Sequence, residues 1–376
     1  MQNHIVTKLL KLANIEPNGT APWDIQIHNP RLYDRVLREG SLGLGESYMD
    51  GWWDAHALDE FFARVLAADL DQKVKKNIPL LMHAVVAQIF NLQSKNRAFE
   101  IGEKHYDVGN DLYTAMLDRR MTYTCGYWRD AKTLDEAQDS KLDLVCKKIG
   151  LKAGDHVLDI GCGWGSFAKF AAEKYGARVV GITVSKEQLA LGTKLCAGLP
   201  IELRLTDYRD MNEKFDHIIS LGMFEHVGYK NYRAYMEVVH RCLKDNGLFL
   251  LHTIGGNRSV THSDAWITKY IFTNSMLPSV AQIGREIEGL FVMEDWHNFS
   301  ADYDKTLMSW FANFDHAWHE VKPPAGGLTS KYGDRFYRMW KYYLLSCAGS
   351  FRARKNQLWQ VVLSKSGVHG GYDSIR

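Results

Sequence analysis

The sequence predicts an α/β fold with a doubly wound, mostly parallel sheet, and a smaller, mainly helical domain at the amino terminus. The apolar run at residues 157–160 leads into three glycines at alternate positions and then into the amphipathic stretch 166–175. This order predicts a strand, a tight turn and a helix. Strand-like and helix-like segments continue to alternate downstream, which implies a parallel sheet covered by helices on both faces. The first hundred residues show helical spacing interrupted by turn signals.

Composition limits the classes of function. The chain has 376 residues, of which 46% are hydrophobic and 24% are charged, so it is globular and long enough for a sizeable core. Its 46 Lys and Arg nearly balance its 44 Asp and Glu, which argues against nucleic acid as a partner. The six cysteines form no C-x-x-C pair, so neither a metal site nor a disulfide framework is predicted. No secretory signal and no membrane-spanning run are recognised, which favours a cytoplasmic protein.

The amino-terminal domain is predicted to span residues 1–97, and a second domain residues 98–376. Helices are expected at residues 6–13, 31–39 and 58–66. Between the last two, the glycine- and aromatic-rich residues 41–53 predict a packed turn anchored by a tryptophan. Residues 73–97 hold an uncharged stretch with basic residues at both ends. This pattern fits a helix at a membrane interface or a buried helix that joins two domains.

The elements of the second domain follow from the same patterns. Residues 105–113 open this domain, and residues 321–327 form a loop rich in proline and glycine. The predicted helices and strands alternate along the chain: helix 134–149, strand 157–160, helix 166–175, strand 178–183, helix 185–197, strands 201–205 and 215–221, helix 229–243, strand 247–253, and a late strand 358–364 added at an edge. The residues 185–188 match a capping box at a helix start.

Two classes of ligand compete for the glycine loop. A dinucleotide fingerprint, G-x-G-x-x-G, requires glycine at position 166, which is Ser166, and an acidic residue about 20 residues later. The second strand ends at Thr183 without an acid. The G-x-G-x-G pattern after Asp159 instead resembles the first motif of S-adenosylmethionine-dependent methyltransferases. A purely structural glycine turn in another α/β protein is the third interpretation.

Polar residues follow several predicted strands, and the carboxyl ends of parallel strands share one edge of the sheet. They include Asp159 after the first strand, Asp207 and Tyr208 after the third, Glu225 after the fourth and His252 in the fifth. Glu225 alone could be a helix-terminal carboxylate, and His252 alone a core histidine. Together at adjacent strand ends they indicate a functional site.

Several segments resemble the cyclopropane fatty acid synthases. The similar segments are residues 123–127, 157–165, 181–185, 222–228, 291–299 and 347–352. The resemblance covers nearly the whole chain. The first hundred residues look like those of the bacterial enzymes that act on phospholipids, a region that the shorter mycolic acid enzymes lack.

The resemblance implies roles for individual residues. The positions similar to those that bind S-adenosylmethionine are Tyr123, Thr124, Asp159, Gly161, Gly163, Gly165, Thr183, Val184, Gln188, Asp207 and Tyr208. For Gln188, the capping box is an alternative explanation. The positions similar to the shell of a bound bicarbonate are Cys125, Glu225, His252, Ile254 and Tyr303. Cys347 matches a cysteine traditionally assigned to the active site, with a place in the wall of an acyl pocket as the alternative.

The resemblance also implies a reaction and a setting. A methylene group would pass from S-adenosylmethionine to a cis double bond of a phospholipid acyl chain, through a carbocation that bound bicarbonate deprotonates. Bicarbonate beside Glu225 requires a shared proton, because two adjacent anions repel. The expected partner is a bilayer surface, and the expected form is a homodimer on the inner face of the membrane. Alternatives are a fatty-acyl or small-amine methyltransferase without ring closure, and a non-catalytic lipid-binding protein.

Overall fold

The computed structural model describes residues 2–69, 109–320 and 328–376. The predicted domain boundary after residue 97, the basic-flanked segment 73–97, residues 105–108 of the second domain's opening segment and the loop 321–327 lie outside the described residues. The described residues form nine strands: β1 (Gln26–Ile27), β2 (Trp53–Asp54), β3 (His156–Ile160), β4 (Arg178–Thr183), β5 (Ile201–Leu205), β6 (Phe215–Leu221), β7 (Leu243–Gly256), β8 (Val292–Asn298) and β9 (Asn356–Ser364).

The described α-helices range in length from four residues, Leu328–Lys331, to 20 residues, Ala301–Glu320. They are Gln2–Lys11, Leu32–Glu39, Ser41–Met49, Leu58–Ala67, Asn110–Met116, Leu134–Lys148, Ser166–Tyr175, Lys186–Leu195, Tyr232–Cys242, Ala265–Tyr270, Val280–Ile287, Ala301–Glu320, Leu328–Lys331 and Asp334–Arg352. None of the described helices is both long enough and apolar enough to cross a membrane.

One compact unit is built on a seven-stranded sheet and contains the described residues 109–261, 274–302 and 357–376. The strand order is β5-β4-β3-β6-β7-β9-β8. Strands β3 to β7 pair in parallel, whereas β8 and β9 pair antiparallel. The sheet therefore confirms the predicted doubly wound, mostly parallel architecture.

Alternation along the central strands explains why helices cover both faces of this sheet. In β3, Val157 belongs to one buried cluster, whereas Leu158 and Ile160 belong to the other. Successive side chains of a strand point to opposite faces, so each face gains its own apolar layer. The helix Leu134–Lys148 contributes to the Val157 cluster, and the helix Tyr232–Cys242 to the Leu158 cluster. Burial of both layers holds β3 and its glycine loop in the middle of the sheet.

The late strand corrects one prediction. Residues 358–364 do form a strand, as predicted, but β9 lies between β7 and β8 and is not at an edge. Its side chains from Gln357 to Leu363 are all buried. The edge belongs to β8, which the sequence analysis did not identify and whose Val292 and Met293 are exposed. Strand order depends on pairing across the sheet, which the pattern within one strand does not encode.

The second unit is mainly helical and contains the described residues 2–69, 262–273, 303–320 and 328–356. Its amino-terminal part has the three predicted helices, with the short strands β1 and β2 pairing antiparallel. Two later parts of the chain join this part. The helix Asp334–Arg352 packs against Leu58–Ala67, and Arg338 donates to the backbone oxygens of Tyr48 and Trp53.

Residues 41–53 do not form the predicted turn throughout, because Ser41–Met49 is a helix. Glycine disfavours a helix interior, but Gly43 and Gly45 sit where side chains would collide. A Cβ on Gly43 would lie 2.6 Å from the Arg35 oxygen, and one on Gly45 would lie 2.3 Å from the Trp266 ring. Tertiary packing therefore overrides the local preference here. The tryptophan anchor is confirmed, since Trp53 is fully buried.

Candidate functional site

The glycine loop after β3 adopts backbone angles that explain its composition. Gly161, Gly163 and Gly165 have φ values of +83°, +56° and +85°, a region that residues with a side chain rarely adopt. A Cβ on Gly161 would also lie 2.6 Å from the Cβ of Met223. The loop thus brings bare backbone against the segment that follows β6, and the helix Ser166–Tyr175 starts directly after it.

A cleft opens above this loop at the carboxyl ends of the strands. It holds about 1130 Å³ of empty space, including space open to solvent, which suits a nucleoside-sized ligand. Every predicted cofactor-binding residue except Gly165 lines it: Tyr123, Thr124, Asp159, Gly161, Gly163, Thr183, Val184, Gln188, Asp207 and Tyr208. Gly165 instead precedes the helix, where a Cβ would lie 2.7 Å from the Cys196 sulfur. The tertiary structure therefore gathers predicted residues from three strand ends, together with Tyr123 and Thr124, into one cavity.

Asp159 lies at the floor of the cleft and is almost fully buried. Burial raises the pKa of Asp159 to about 7, although the positive charge of Lys141 opposes the shift. Next to it, the Thr183 hydroxyl donates to Gln188 Oε1 at 2.8 Å. The Ser185 hydroxyl accepts from the Gln188 backbone N–H, which is one half of the predicted capping box. The Gln188 side chain bonds to Thr183 in the cleft wall, so it is placed for a role beyond the cap.

An ion pair that was not fully predicted also lines the cleft. Both Asp207 carboxylate oxygens lie 2.7 Å from nitrogens of the Arg209 guanidinium. That guanidinium also lies 5.3 Å from the centre of the Tyr208 ring. Arg209 lines the cleft, only two residues after a predicted site residue. Its position next to Asp207 was the signal that could have identified it.

Two buried residues of the helix Leu134–Lys148 support the wall that Tyr123 and Thr124 form. Gln138 Nε2 donates to the Thr124 carbonyl at 2.7 Å, and Lys141 Nζ donates to the Thr124 hydroxyl at 2.8 Å. Both side chains are fully buried. Burial lowers the pKa of Lys141 to about 8. The sequence analysis missed both residues, because one sequence does not show which face of a helix meets a binding site.

Glu225 lies beyond β6, beside the end of β7. Its Oε1 accepts from the backbone N–H of Ile254 at 2.7 Å, whereas Oε2 is buried with no hydrogen-bond partner among the described residues. Burial raises the pKa of Glu225 to about 7, against the effect of the Ile254 bond. A protonated carboxyl group is therefore available near neutral pH.

His252 pairs in register with Leu221 of β6 and is buried. Its Nε2, like Glu225 Oε2, is buried with no hydrogen-bond partner in the described part of the chain. Burial lowers the pKa of His252 well below its ordinary value, helped by the charges of Lys141 and Lys148. Buried polar atoms normally have partners, so two such atoms at adjacent strand ends indicate a place for a small polar ligand. Cys125 is also fully buried.

The other two predicted catalytic residues belong to the helical unit. Tyr303 lies in the helix Ala301–Glu320 and stacks on Phe351, with ring centroids 4.5 Å apart. Cys347 lies in the helix Asp334–Arg352, where burial raises the pKa of its thiol to about 12. A thiolate nucleophile is therefore disfavoured at neutral pH. The participation of Tyr303 and Cys347 in the reaction stays a prediction.

A comparison with protein-family models matches residues 93–361 to the family described as mycolic acid cyclopropane synthetase. The chain belongs to this family. It is 53% identical over 367 residues to the cyclopropane-fatty-acyl-phospholipid synthase of Escherichia coli K12, which covers 98% of this chain and 94% of that protein. Membership in the cyclopropane synthetase family makes it an enzyme of the S-adenosylmethionine-dependent methyltransferase class, so the dinucleotide-binding and non-catalytic interpretations do not hold.

Solved structures of the cyclopropane synthetase family share the fold. The mycolic acid cyclopropane synthase CmaA1, solved with S-adenosylhomocysteine and CTAB, is 32% identical and has a TM-score of 0.65. The cyclopropane synthase MmaA2 from Mycobacterium tuberculosis is 29% identical and has a TM-score of 0.65. Each match covers 71% of this chain and 98% of the other. The predicted methyltransferase type of sheet is thereby confirmed.

Proposed function

We propose that this enzyme transfers a methylene group from S-adenosylmethionine to the cis double bond of unsaturated acyl chains in membrane phospholipids, which gives a cyclopropane ring. The observation that carries the proposal is the pairing of two features at one edge of the sheet. A glycine-floored cleft opens at the carboxyl ends of the strands, and Glu225 and His252 are buried at the same ends, each with an atom that lacks a partner among the described residues. Neither residue lines the cleft itself, but Met223 and His226, which flank Glu225 in the sequence, do. The name of the Escherichia coli relative supplies the phospholipid substrate class.

The cleft suits S-adenosylmethionine for physical reasons. The glycines of the loop, whose backbones have positive φ angles, carry no side chains, so the ligand can approach the loop backbone closely. Asp159 offers a carboxylate to a positively charged group, and the Lys141 charge opposes its full protonation. Thr183 and Gln188 present hydroxyl and amide groups in the same wall, where a ribose can form hydrogen bonds. The proposed ligand is therefore held by short-range polar contacts in a largely apolar cavity.

The chemistry requires that methyl transfer be followed by loss of a proton. The alkene π electrons form a bond to the methyl carbon, and the sulfonium departs as a neutral thioether. The chain then carries a carbocation, and loss of a proton from the former methyl group closes the ring. Alignment of the donor and the alkene in a closed site supplies much of the acceleration. A carboxylate in direct contact with the cation could be alkylated, so Glu225 serves as an anchor rather than as the base.

Glu225 and His252 fit a bound bicarbonate. Glu225 Oε2 and His252 Nε2 have no hydrogen-bond partner among the described residues. The protonated Glu225 carboxyl group would donate a proton to a bound anion, and His252 Nε2 would give that anion a second polar contact. The raised pKa of Glu225, about 7, allows it to share a proton with an adjacent anion instead of repelling it. Bicarbonate, when bound there, supplies a base for the departing proton. Cys125 and Tyr303 stay predicted members of this shell.

Product analysis tests the proposal. The full-length protein is incubated with isotopically labelled S-adenosylmethionine and vesicles of a cis-monounsaturated phospholipid, and the lipids are analysed by mass spectrometry. We expect a labelled acyl chain that gains one CH₂ and no longer reacts as an alkene. A saturated methyl branch, heavier by H₂ than the ring, would support the methyltransferase without ring closure. The absence of any labelled acyl chain would contradict the proposal.

The setting of the reaction is a separate proposal. We infer that the enzyme acts as a homodimer at the inner face of the cytoplasmic membrane. The membrane association follows from the phospholipid substrate class in the relative's name, whereas the dimer is inferred from the resemblance to the family alone. Flotation with anionic vesicles tests the membrane association, and sedimentation velocity tests the dimer. Protein that stays at the bottom of the gradient while remaining active on detergent-dispersed lipid would contradict the peripheral association. A monomer at the concentration of the activity assay would contradict the dimer.

A further inference from the structure

Gln360 has a buried side-chain amide that contacts His252, one of the two residues of the proposed anion site. It lies on β9, the neighbour of β7 in the sheet, and its side chain is fully buried. Its Nε2 lies 3.3 Å from Nδ1 of His252, whose side chain is 1% exposed. The two residues are 108 positions apart. No motif in the sequence links them, and the reaction as described above does not use Gln360.

The contact determines which nitrogen of His252 carries the proton. An amide nitrogen donates hydrogen bonds and does not accept them, so the Nδ1 that faces it must be the acceptor. A neutral imidazole with an acceptor at Nδ1 carries its hydrogen on Nε2. Nε2 is the atom that has no partner among the described residues. His252 therefore has a hydrogen-bond donor available at the nitrogen that faces away from Gln360.

The reverse orientation of the amide is less favourable. Gln360 Oε1 has no hydrogen-bond partner in the described part of the chain. If the amide were rotated, its NH₂ group would take the place of Oε1, and Oε1 would face Nδ1, which would then have to carry the imidazole hydrogen. Nε2 would be left with a lone pair, which repels an anion, instead of an N–H that can donate to one.

We propose that Gln360 is a positioning residue that holds His252 as the Nε2–H tautomer, so that this N–H donates to the anion bound beside Glu225. The inference rests on the proposed function for the identity of that anion. Two further observations support it. The ring of His252 packs at 5.9 Å from that of Phe299, which restricts its rotation. Burial and the Lys141 and Lys148 charges keep the imidazole neutral. The tautomer, rather than a positive charge, therefore sets what His252 offers to a ligand.

The tautomer can be measured directly. Full-length protein labelled with ¹⁵N-histidine is examined by long-range ¹H–¹⁵N NMR, with the His252 signals assigned by their loss in H252Q. We expect a protonated Nε2 and an unprotonated Nδ1 in the wild type. In Q360E, the ionised carboxylate has no donor, so the proton is expected to move to Nδ1. Q357M is the matched control, since Gln357 lies on the same strand, is buried, and accepts from Ser300 and Asn298 instead.

Kinetics then test the consequence for the anion. In the methylene-transfer assay, Q360E should raise the half-saturating bicarbonate concentration by roughly tenfold, the scale of one lost buried hydrogen bond. The KM for S-adenosylmethionine should change by less than about twofold on the same reasoning. Q357M should show the wild-type bicarbonate dependence.

The outcomes separate the two proposals. A wild-type His252 with its proton on Nδ1 overturns the inference, and this result does not depend on whether Q360E folds. A tautomer that switches in Q360E without any change in bicarbonate dependence overturns the role assigned to Gln360. A wild-type enzyme that makes the ring with no response to bicarbonate contradicts the proposed bicarbonate chemistry, while the NMR result still decides whether Gln360 sets the tautomer.

Discussion

The Lys141 ammonium group lies 2.8 Å from the Thr124 hydroxyl oxygen and is completely buried. Thr124 lines the cofactor cleft, and Lys141 stands directly behind it on the helix Leu134–Lys148. A buried cation is costly unless neighbouring groups offset it, and here Asp118 and Asp159 raise its pKa against the burial. Lys141 therefore acts on two residues of the cleft: it donates a hydrogen bond to Thr124, and its charge interacts with Asp159.

Replacement of Lys141 tests this support. We expect K141M to weaken the binding of S-adenosylhomocysteine by about tenfold, because Thr124 loses a hydrogen bond from a charged donor and Asp159 loses its nearby cation. T124V is the matched variant, since it removes the hydroxyl and leaves the charge. Isothermal titration calorimetry of both variants should show a smaller loss for T124V. Wild-type affinity in a folded K141M would contradict the role of Lys141.

Glu225 gives a pH-dependent prediction. Burial raises its pKa from 4.5 to about 7, so the folded protein keeps a proton that the unfolded chain has already lost. The stability linked to this proton is fully present below pH 4.5 and is lost as the pH rises towards 7. E225Q cannot ionise and keeps an acceptor for Ile254. We therefore expect its free energy of unfolding to exceed that of the wild type by up to about 3 kcal/mol at pH 8 and to approach it near pH 5.

The same variant separates stability from activity. Because the neutral amide cannot share a proton with the proposed bicarbonate, E225Q should lose roughly a hundredfold in turnover. Its affinity for S-adenosylhomocysteine should stay close to that of the wild type. Chemical denaturation at both pH values and a turnover assay make the comparison. A variant that is less stable at pH 8 and binds the cofactor product poorly would show that Glu225 is mainly structural.

The glycine loop allows a comparison of two positions with the same backbone constraint. G161A combines a positive φ of +83° with a Cβ 2.6 Å from that of Met223, whereas G163A has a φ of +56° and nothing within 4 Å of its Cβ. We expect G163A to cost about 1 kcal/mol in the free energy of unfolding, from the backbone alone. G161A should cost about 1–3 kcal/mol more, because packing is also disturbed. Equal losses in urea denaturation would refute the close approach of Met223.

A buried ion pair in the same unit gives a stability prediction. Asp295 is 4% exposed at its side chain, lies 3.4 Å from Lys148 Nζ, and also binds Arg376 at 2.6 Å. D295N should cost about 3–5 kcal/mol, since it leaves Lys148 buried without a counter-charge. D245N is the control, because Asp245 is 91% exposed where it meets Lys365, and its replacement should leave the unfolding temperature close to that of the wild type. Thermal unfolding of both variants at pH 7 tests the difference.

The pH dependence of the Asp295 contribution has a definite sign. Hydrogen bonds from Arg376 and Ser374 and the charge of Lys148 hold the pKa of Asp295 below its ordinary value of 3.8, in spite of burial. Its stabilising effect is therefore present above pH 3.8 and disappears as the pH falls further. The stability difference between D295N and the wild type should be constant near neutral pH and shrink below pH 3.8. A difference that disappears already at pH 5 would contradict the pairing.

Much of the sheet-containing unit was predictable because its signals are local. The strand at residues 178–183 and the helix 166–175 have the predicted bounds. Parallel strands place their carboxyl ends together, so the pattern of strands alone assigns strand-end residues such as Asp159 and Thr183 to one cleft. The prediction was wrong where long-range packing decided the outcome. Residues 41–49 are helical because Gly43 and Gly45 meet Arg35 and Trp266, and β9 is interior because β8 pairs beyond it.

Local patterns were enough to predict the glycine loop, the order of strands and helices around it, and the polar residues at the strand ends, since each of these depends on neighbours within a few positions. The groups behind those residues became known from the folded chain alone: Lys141 behind Thr124, Arg209 across Asp207, and Gln360 against His252. A buried polar group acquires its pKa and its hydrogen-bond partners from the elements that pack around it. Those elements come from distant parts of the chain, and the periodicity of the sequence does not predict which of them pack together.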